Sequence, residues 1–215
     1  MKKSVYSLVL SDDVVTAADK AAAKRGLSRS ALINEVLAAH LSCTTPEMRI
    51  RDIFESLEQI ALQDNFRMKQ KPSDAMMSLL SSLSYKYNPT VRYSVELTHK
   101  TRHAIGVLKV SFRTQSESFT DALDGFFYVF CQLEKSFAPE GVNYKTEPGR
   151  FSRLLAVPEG LEYSAGETGK AIKDFITMFD TALNAYFGCL PNTEEAVDAA
   201  AAVYRTYLKQ TKLRI

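Results

Sequence analysis

The first 43 residues contain a single candidate strand followed by two short candidate helices, and this pattern limits the fold more than any other feature. Residues 5–10 read V-Y-S-L-V-L. Side chains alternate between the two faces of a strand. One face would therefore hold Tyr6, Leu8 and Leu10. The opposite face would hold Val5, Ser7 and Val9.

Two helices are predicted after this strand. Ser11 can cap the first helix, over 12–25, and Gly26 ends it in a position where glycine is favoured. Ser28 caps the second helix. Apolar residues recur at helical spacing in both helices, at Val14, Val15, Ala18, Ala21, Ala22, Leu32, Ile33, Val36, Leu37 and Leu41.

A segment of this kind is not expected to be stable as a monomer. A lone strand has two unpaired edges, and 43 residues bury too little surface for independent stability. A two-fold dimer solves both problems, because the strands pair with each other and four helices close around them. We therefore expect a homodimer or a higher homo-oligomer, with a shared core of Tyr6, Leu8, Leu10, Leu32, Ile33 and Val36.

Residues 4–43 resemble the ribbon–helix–helix DNA-binding proteins of the CopG, Arc and MetJ type. The resemblance rests on the strand end Leu10-Ser11-Asp12-Asp13-Val14, a helix of fixed length, and the turn Gly26-Leu27-Ser28-Arg29-Ser30-Ala31-Leu32-Ile33. It covers about a fifth of the chain. It implies that residues 1–43 form a DNA-binding and dimerisation domain. It further implies a sequence-specific transcriptional regulator, most simply a repressor, whose partner is double-stranded DNA.

In that family the outward side chains of the paired ribbon contact base edges in the major groove. The resemblance assigns this role to Val5, Ser7 and Val9, with Lys2 and Lys3 beside them. Two of the three positions depart from the polar residues usual in the family, since valine can contact only a thymine methyl group. An alternative is that the ribbon only mediates dimerisation, with both valines buried under another part of the protein.

The same resemblance implies a phosphate contact at the start of the second helix, where backbone N–H groups bind anions well. Those groups belong to Ser28, Arg29 and Ser30. The charge distribution agrees, because residues 1–43 carry six basic and four acidic side chains. The remaining residues carry 21 of each sign, so the whole excess of +2 lies in the first fifth of the chain.

Composition limits the other classes of protein. The sequence contains no run of about 18 apolar residues, so we expect neither a membrane-spanning segment nor a membrane partner. The first residues lack the continuous apolar stretch of a secretion signal. The three cysteines, Cys43, Cys131 and Cys189, form no pair motif, and this sparse, odd number favours a reducing cytoplasm.

Residues 47–215 are predicted to form a second, α+β domain that is mostly helical. Helices are predicted over 47–64 and 74–84, with a polar loop between them, and again over 119–137 and twice after residue 170. Period-two alternation between residues 85 and 113 predicts an antiparallel β-hairpin, and a short strand is expected at 151–157. This domain is expected to add oligomer contacts or to sense a small-molecule or protein effector.

Two local patterns partly match known chemical sites. The segment Gly166-Glu167-Thr168-Gly169-Lys170 lacks two residues of a phosphate-binding loop, so a helix start is the better interpretation. His99 and His103 flank a predicted turn rather than share a helix face, and with His40 and the dispersed cysteines they make a poor metal shell. We expect no metal site and no cofactor.

No spacing-defined catalytic motif occurs, so we expect no enzyme activity. Two alternative functions use the same N-terminal fold. One is an accessory DNA-binding protein in plasmid replication or conjugation. The other is an antitoxin that binds its toxin through the C-terminal domain, although this large domain differs from the short tail usual in antitoxins.

Overall fold

The computed structural model describes residues 5–61, 66–73, 75–98, 104–114, 116–137 and 143–215. The chain divides into two compact units, residues 1–49 and residues 50–215, which are described separately below. As a whole the protein is α+β, with six helices and a six-stranded antiparallel sheet among the described residues.

The N-terminal unit contains helices α1 (Asp12–Lys24) and α2 (Arg29–His40) and the start of α3 (Pro46–Ala61). Gly26, with φ of +64°, ends α1 in the left-handed conformation predicted for it. The N–H of Gly26 donates to Ala23 O, and the N–H of Leu27 donates to Ala22 O at 2.9 Å. These two hydrogen bonds satisfy the last carbonyl groups of α1 and fix the turn into α2.

Residues 5–10 belong to neither a helix nor a strand in the single chain. A β-strand is defined by hydrogen bonds to a neighbouring strand, and no described segment of the same chain supplies one. The ribbon–helix–helix unit therefore remains a prediction about the dimer.

The C-terminal unit consists of the remainder of α3, six strands and three further helices. The strands are β1 (Arg67–Ser73), β2 (Met76–Ser82), β3 (Thr90–Leu97), β4 (Ala104–Phe112), β5 (Tyr144–Glu147) and β6 (Arg150–Ala156). The helices are α4 (Glu117–Phe137), α5 (Ala165–Cys189) and α6 (Thr193–Gln210). All strand pairs are antiparallel, in the order β1-β2-β3-β4-β6-β5.

The predicted antiparallel hairpin is present as β3 and β4, but it is the centre of a larger, six-stranded sheet that the sequence did not predict. The predicted helix over 74–84 is strand β2, and part of the predicted loop before it is strand β1. The run M-M-S-L-L-S-S is compatible with the apolar spacing of a helix and with that of a strand. Pairing with β3 at seven positions, from Met76↔Glu96 to Ser82↔Thr90, makes it a strand. Strands β1 and β5 are the two edges, where polar residues are tolerated and the alternation is weak.

Helices α4 and α5 cover one face of the sheet with an aromatic core. Phe179 of α5 is fully buried, and its ring centroid lies 4.6 Å from that of Phe130 and 5.2 Å from that of Phe151. Phe126, Phe127 and Tyr93 also contact this ring. Offset and edge-to-face contacts of this kind add to the stabilisation from burial itself. The core is therefore complete within one chain.

Helix α5 approaches α3 closely at Gly169. A Cβ atom there would lie 2.9 Å from the carbonyl oxygen of Ile53 and from the side chain of Ser56. The Gly166–Lys170 segment is a helix start, as predicted: Ser164 Oγ accepts from the N–H of Glu167, and the Glu167 carboxylate accepts from the N–H of Ser164. The second glycine of this segment thus serves helix packing.

A buried ion pair joins the sheet to α4. Arg153 Nε lies 2.9 Å from both carboxylate oxygens of Glu134, and both side chains are almost completely buried. The guanidinium also donates to the main-chain oxygen of Ile215 at 2.7 Å and stacks over the Phe175 ring, 4.4 Å from its centroid. These contacts compensate the cost of burying the charge.

Candidate nucleic-acid interface

The side chains of residues 5–10 are strongly and unequally exposed. Val5 and Val9 are fully exposed, and Ser7 is exposed as well. The residues that alternate with them become less exposed towards α1, from 83% at Tyr6 to 61% at Leu8 and 39% at Leu10. The two sets of alternate residues thus differ in exposure, while residues 5–10 form no strand in the single chain. Lys2 and Lys3 lie outside the described residues.

The first turn of α2 is built by a serine cap. Ser28 Oγ accepts from the N–H of Ala31 at 3.2 Å and lies 3.3 Å from Ser30 Oγ. The N–H groups of Ser28, Arg29 and Ser30 point out of the helix start, where no intrahelical acceptor exists. No other acceptor for them occurs in the part of the chain that the structure describes. These three groups remain available to an external anion.

Arg29 is engaged by a residue that sequence reasoning missed. Its Nε lies 2.6 Å from Asp19 Oδ1, and its second nitrogen lies 2.7 Å from Oδ2, so the ion pair is bidentate. Both side chains are about half exposed. The hydrogen bonds from Arg29 lower the pKa of Asp19, which therefore stays ionised in ordinary buffers. Neither the sequence spacing of ten residues nor helix periodicity marks this pair.

A second ion pair connects the same two helices. Arg25, the C-terminal cap of α1, lies 2.5 Å from the carboxylate of Glu35 in α2. Together with the Asp19–Arg29 pair it neutralises two of the basic residues counted in the sequence. Lys20 and Lys24 of α1 are exposed. The positive charge of this unit is thus concentrated on fewer side chains than the sequence count suggests.

Helix α2 differs from the other helices in its first turn. The remaining five each begin with at least one acidic residue, namely Asp12 and Asp13, Glu47, Glu117, Glu167, and Glu194 with Glu195. The first turn of α2 has none and contains Arg29 instead. Acidic residues are favoured at helix N-termini because of the helix dipole. With no acidic residue in its first turn, the N-terminus of α2 keeps the partial positive charge of the helix dipole.

The C-terminal unit offers two clefts for the expected effector. One, of about 680 Å³, lies between α5 and α6 and is lined by Lys170, Lys173, Asp174, Thr177 and Tyr207 among others. Burial raises the pKa of Tyr207, whose hydroxyl has no hydrogen-bond partner among the described residues. The other, of about 450 Å³, lies against α4 beside Cys131, where burial raises the thiol pKa to about 11.

Neither a metal-binding cluster nor a membrane-spanning helix is found among the described residues. No group of three His, Cys, Asp or Glu side chains lies close enough there to hold a metal ion, and His99 and His103 lie outside them. No helix in the described ranges is long and apolar enough to cross a membrane.

Comparison of the chain with protein-family models, with curated proteins and with solved structures gives no match. A functional assignment therefore depends on the geometry of the candidate interface.

Proposed function

We propose that residues 5–43 of two copies form a ribbon–helix–helix dimer that binds double-stranded DNA and regulates transcription. In this dimer residues 5–10 pair as antiparallel strands, and their outward side chains enter the major groove. The C-terminal unit adds oligomer contacts or senses an effector. The observation that carries DNA binding is the first turn of α2, with its three available N–H groups and no acidic residue.

Unburied apolar surface supports the dimer. Of the thirteen large hydrophobic side chains that are exposed in the described ranges, nine lie between residues 5 and 41. They are Val5, Tyr6, Leu8, Val9, Leu10, Val14, Val36, Leu37 and Leu41. Apolar side chains exposed in this number within one short segment indicate an interaction site, and all of them except the outward-facing Val5 and Val9 are available to a dimer interface. A second copy pairs the strand and covers the helices at once, as a two-fold interface requires.

The anion at α2 would be a DNA phosphate. Backbone N–H groups and the helix dipole bind phosphate without regard to base sequence. Arg29 already forms its bidentate pair with Asp19, so the phosphate competes with a carboxylate for this guanidinium. Base recognition is left to the ribbon, where Ser7 can form a hydrogen bond and the two valines can contact thymine methyl groups.

A charge introduced at the α2 start tests this proposal. Ser30→Glu places a carboxylate in the first turn of α2 and leaves the Ser28 cap intact. We expect tenfold or greater loss of duplex affinity for all sequences at low salt, as the phosphate contact is lost. Electrophoretic mobility shifts and sedimentation velocity on the full chain measure binding and dimerisation. A folded monomer at micromolar concentration would contradict the dimer.

Helix α4 supplies the matched control. Its cap has the same construction, because Ser116 Oγ accepts from the N–H of Phe119 and lies 3.2 Å from Ser118 Oγ. Ser118→Glu therefore makes the same substitution at the same helix position, beside Glu117. We expect unchanged DNA binding from it. Equal losses from both variants would show that the charge acts nonspecifically and would remove the α2 assignment.

Asp19→Asn tests the competition between carboxylate and phosphate. The variant releases Arg29, so duplex binding at low salt should tighten several-fold, the opposite of the usual effect of losing a salt bridge. Titration of wild type and variant with one duplex gives the ratio. Weaker binding would show that the ion pair serves only to hold α1 and α2 together.

A further inference from the structure

Basic side chains form a row across the face of the sheet that α4 and α5 leave uncovered. Residues that are paired across antiparallel strands point to the same face. The register gives one such row, Arg67↔Leu80↔Arg92↔Ser111↔Arg150↔Glu147, which crosses all six strands and ends on an acidic residue of β5. An arginine thus occurs on every second strand. All three arginines are exposed, and no ion pair or hydrogen bond of theirs is found among the described residues. Arg150 stands opposite Glu147, and its charge helps to lower the pKa of that carboxyl group.

The neighbouring row adds lysines and hydroxyl groups. It runs Ser78↔Ser94↔Lys109↔Ser152↔Lys145, from β2 to β5. The two acidic side chains of this face, Glu96 and Glu147, are each paired with a lysine at 2.6 Å. Five basic and two acidic side chains leave an excess of three positive charges on the described part of this face.

We infer that this open sheet face is a second contact for the phosphate backbone of duplex DNA. The choice of DNA as the polyanion rests on the proposed function. Strands lie about 4.8 Å apart, so the three arginines are spaced by about 10 Å and span about 20 Å. That length equals the rise of about six base pairs. Guanidinium groups bind phosphate in a bidentate manner, and the hydroxyl of Ser111, between Arg92 and Arg150, adds a further donor.

The residue types on this face favour a duplex over a single strand. Proteins that bind single-stranded nucleic acid stack the bases on aromatic side chains. The aromatic residues of the strands, such as Tyr93, Phe112, Tyr144 and Phe151, belong to the alternate positions that pack towards the helices. No aromatic side chain occurs among the described residues of the open face. A duplex presents phosphate groups and requires no base stacking, so a basic face without aromatic side chains suits a duplex.

Removal of two arginines from the full chain tests the inference. For Arg92→Gln/Arg150→Gln we expect about a tenfold or greater loss of affinity at 50 mM salt, equal for every duplex sequence. The slope of log K against log salt should become shallower by about two, since each lost phosphate contact removes about 0.9. The matched control is Arg205→Gln/Lys209→Gln, two exposed basic side chains on α6 in the helical layer. This control should leave affinity and slope unchanged.

The outcomes separate this inference from the proposed function. If Ser30→Glu weakens binding and Arg92→Gln/Arg150→Gln does not, the N-terminal interface stands and the sheet contact is wrong. If both double variants weaken binding equally, the effect is one of net charge, and the sheet contact is also wrong. A wild-type preference for an unpaired oligonucleotide of the same length would overturn the choice of duplex. Absence of any duplex binding by the wild type would remove both proposals.

Discussion

The two units of the chain differ in how far their large apolar side chains are buried. In the C-terminal unit Phe126, Phe127, Phe130, Phe151 and Phe179 are essentially inaccessible to solvent and contact one another. In the N-terminal unit only Ala22, Leu32 and Ala38 are buried within the described helices α1 and α2. Larger apolar side chains there, including Leu8 and Val36, remain exposed.

This difference follows from chain length. Surface buried on folding rises with domain size, so about 165 residues can enclose a core and about 45 cannot. The shorter segment has a normal apolar content but lacks a second layer on which to pack it. This exposure is the reason for the proposal that the N-terminal unit associates with a second copy. The following predictions test whether the first unit depends on association and the second does not.

The largest effect is expected in the aromatic core. Phe179→Ala should lower the free energy of unfolding of the C-terminal unit by about 3–5 kcal/mol, because the cavity lies where five aromatic rings meet. Denaturant unfolding followed by circular dichroism measures it, and the loss should not depend on protein concentration. The exposed Tyr128→Ala serves as control and should change stability by less than about 0.5 kcal/mol.

The next effect should depend on concentration. Leu8→Ala removes an apolar group that is buried only in the dimer, at a cost of about 2–5 kcal/mol per buried leucine. We expect a weaker dimer by sedimentation equilibrium, with unfolding of the C-terminal unit unchanged. Val9→Ala is the control, because an outward-facing side chain contributes nothing to the shared core. A loss of dimer stability from Val9→Ala equal to that from Leu8→Ala would favour the alternative in which the valines are buried.

A smaller effect is expected where two helices meet. Gly169→Ala places a methyl group 2.9 Å from the Ile53 carbonyl oxygen, so α3 and α5 must separate. Overpacking of this kind costs about 1–3 kcal/mol. Gly166 lies in the first turn of the same helix with open space around it, and Gly166→Ala should be neutral or slightly stabilising. Thermal melts of both variants give the comparison, and equal melting temperatures would contradict the close contact.

The smallest effect concerns the ends of the N-terminal helices. Ser42, with φ of +53°, ends α2 in the left-handed conformation that Gly26 adopts after α1. Ser42→Gly should therefore stabilise the N-terminal unit by up to about 1 kcal/mol, and the reciprocal Gly26→Ser should destabilise it by a similar amount. Amide hydrogen exchange of residues in α1 and α2 reports these local changes. A loss of protection in Ser42→Gly would show that the serine side chain has another role.

Local signals located the helices well. Ser28 caps α2, Gly26 ends α1, and residues 166–170 lie at the start of α5, as the sequence indicated. Each of these features depends on residues within one helical turn, so the sequence carries the whole cause. Strand β6, at Arg150–Ala156, also lies near its predicted position, because it alternates cleanly and is buried on one face.

The sequence alone therefore determined the helix ends, the apolar periodicity of the long helices and the α+β class. Only the tertiary structure decided that residues 76–82 form a strand, that Arg29 is paired with Asp19, and that Arg67, Arg92 and Arg150 share one row. Caps and periodicity depend on neighbours along the chain. Strand pairing, ion pairs between helices and charge rows across a sheet depend on partners that are distant in sequence, and folding alone brings those partners together.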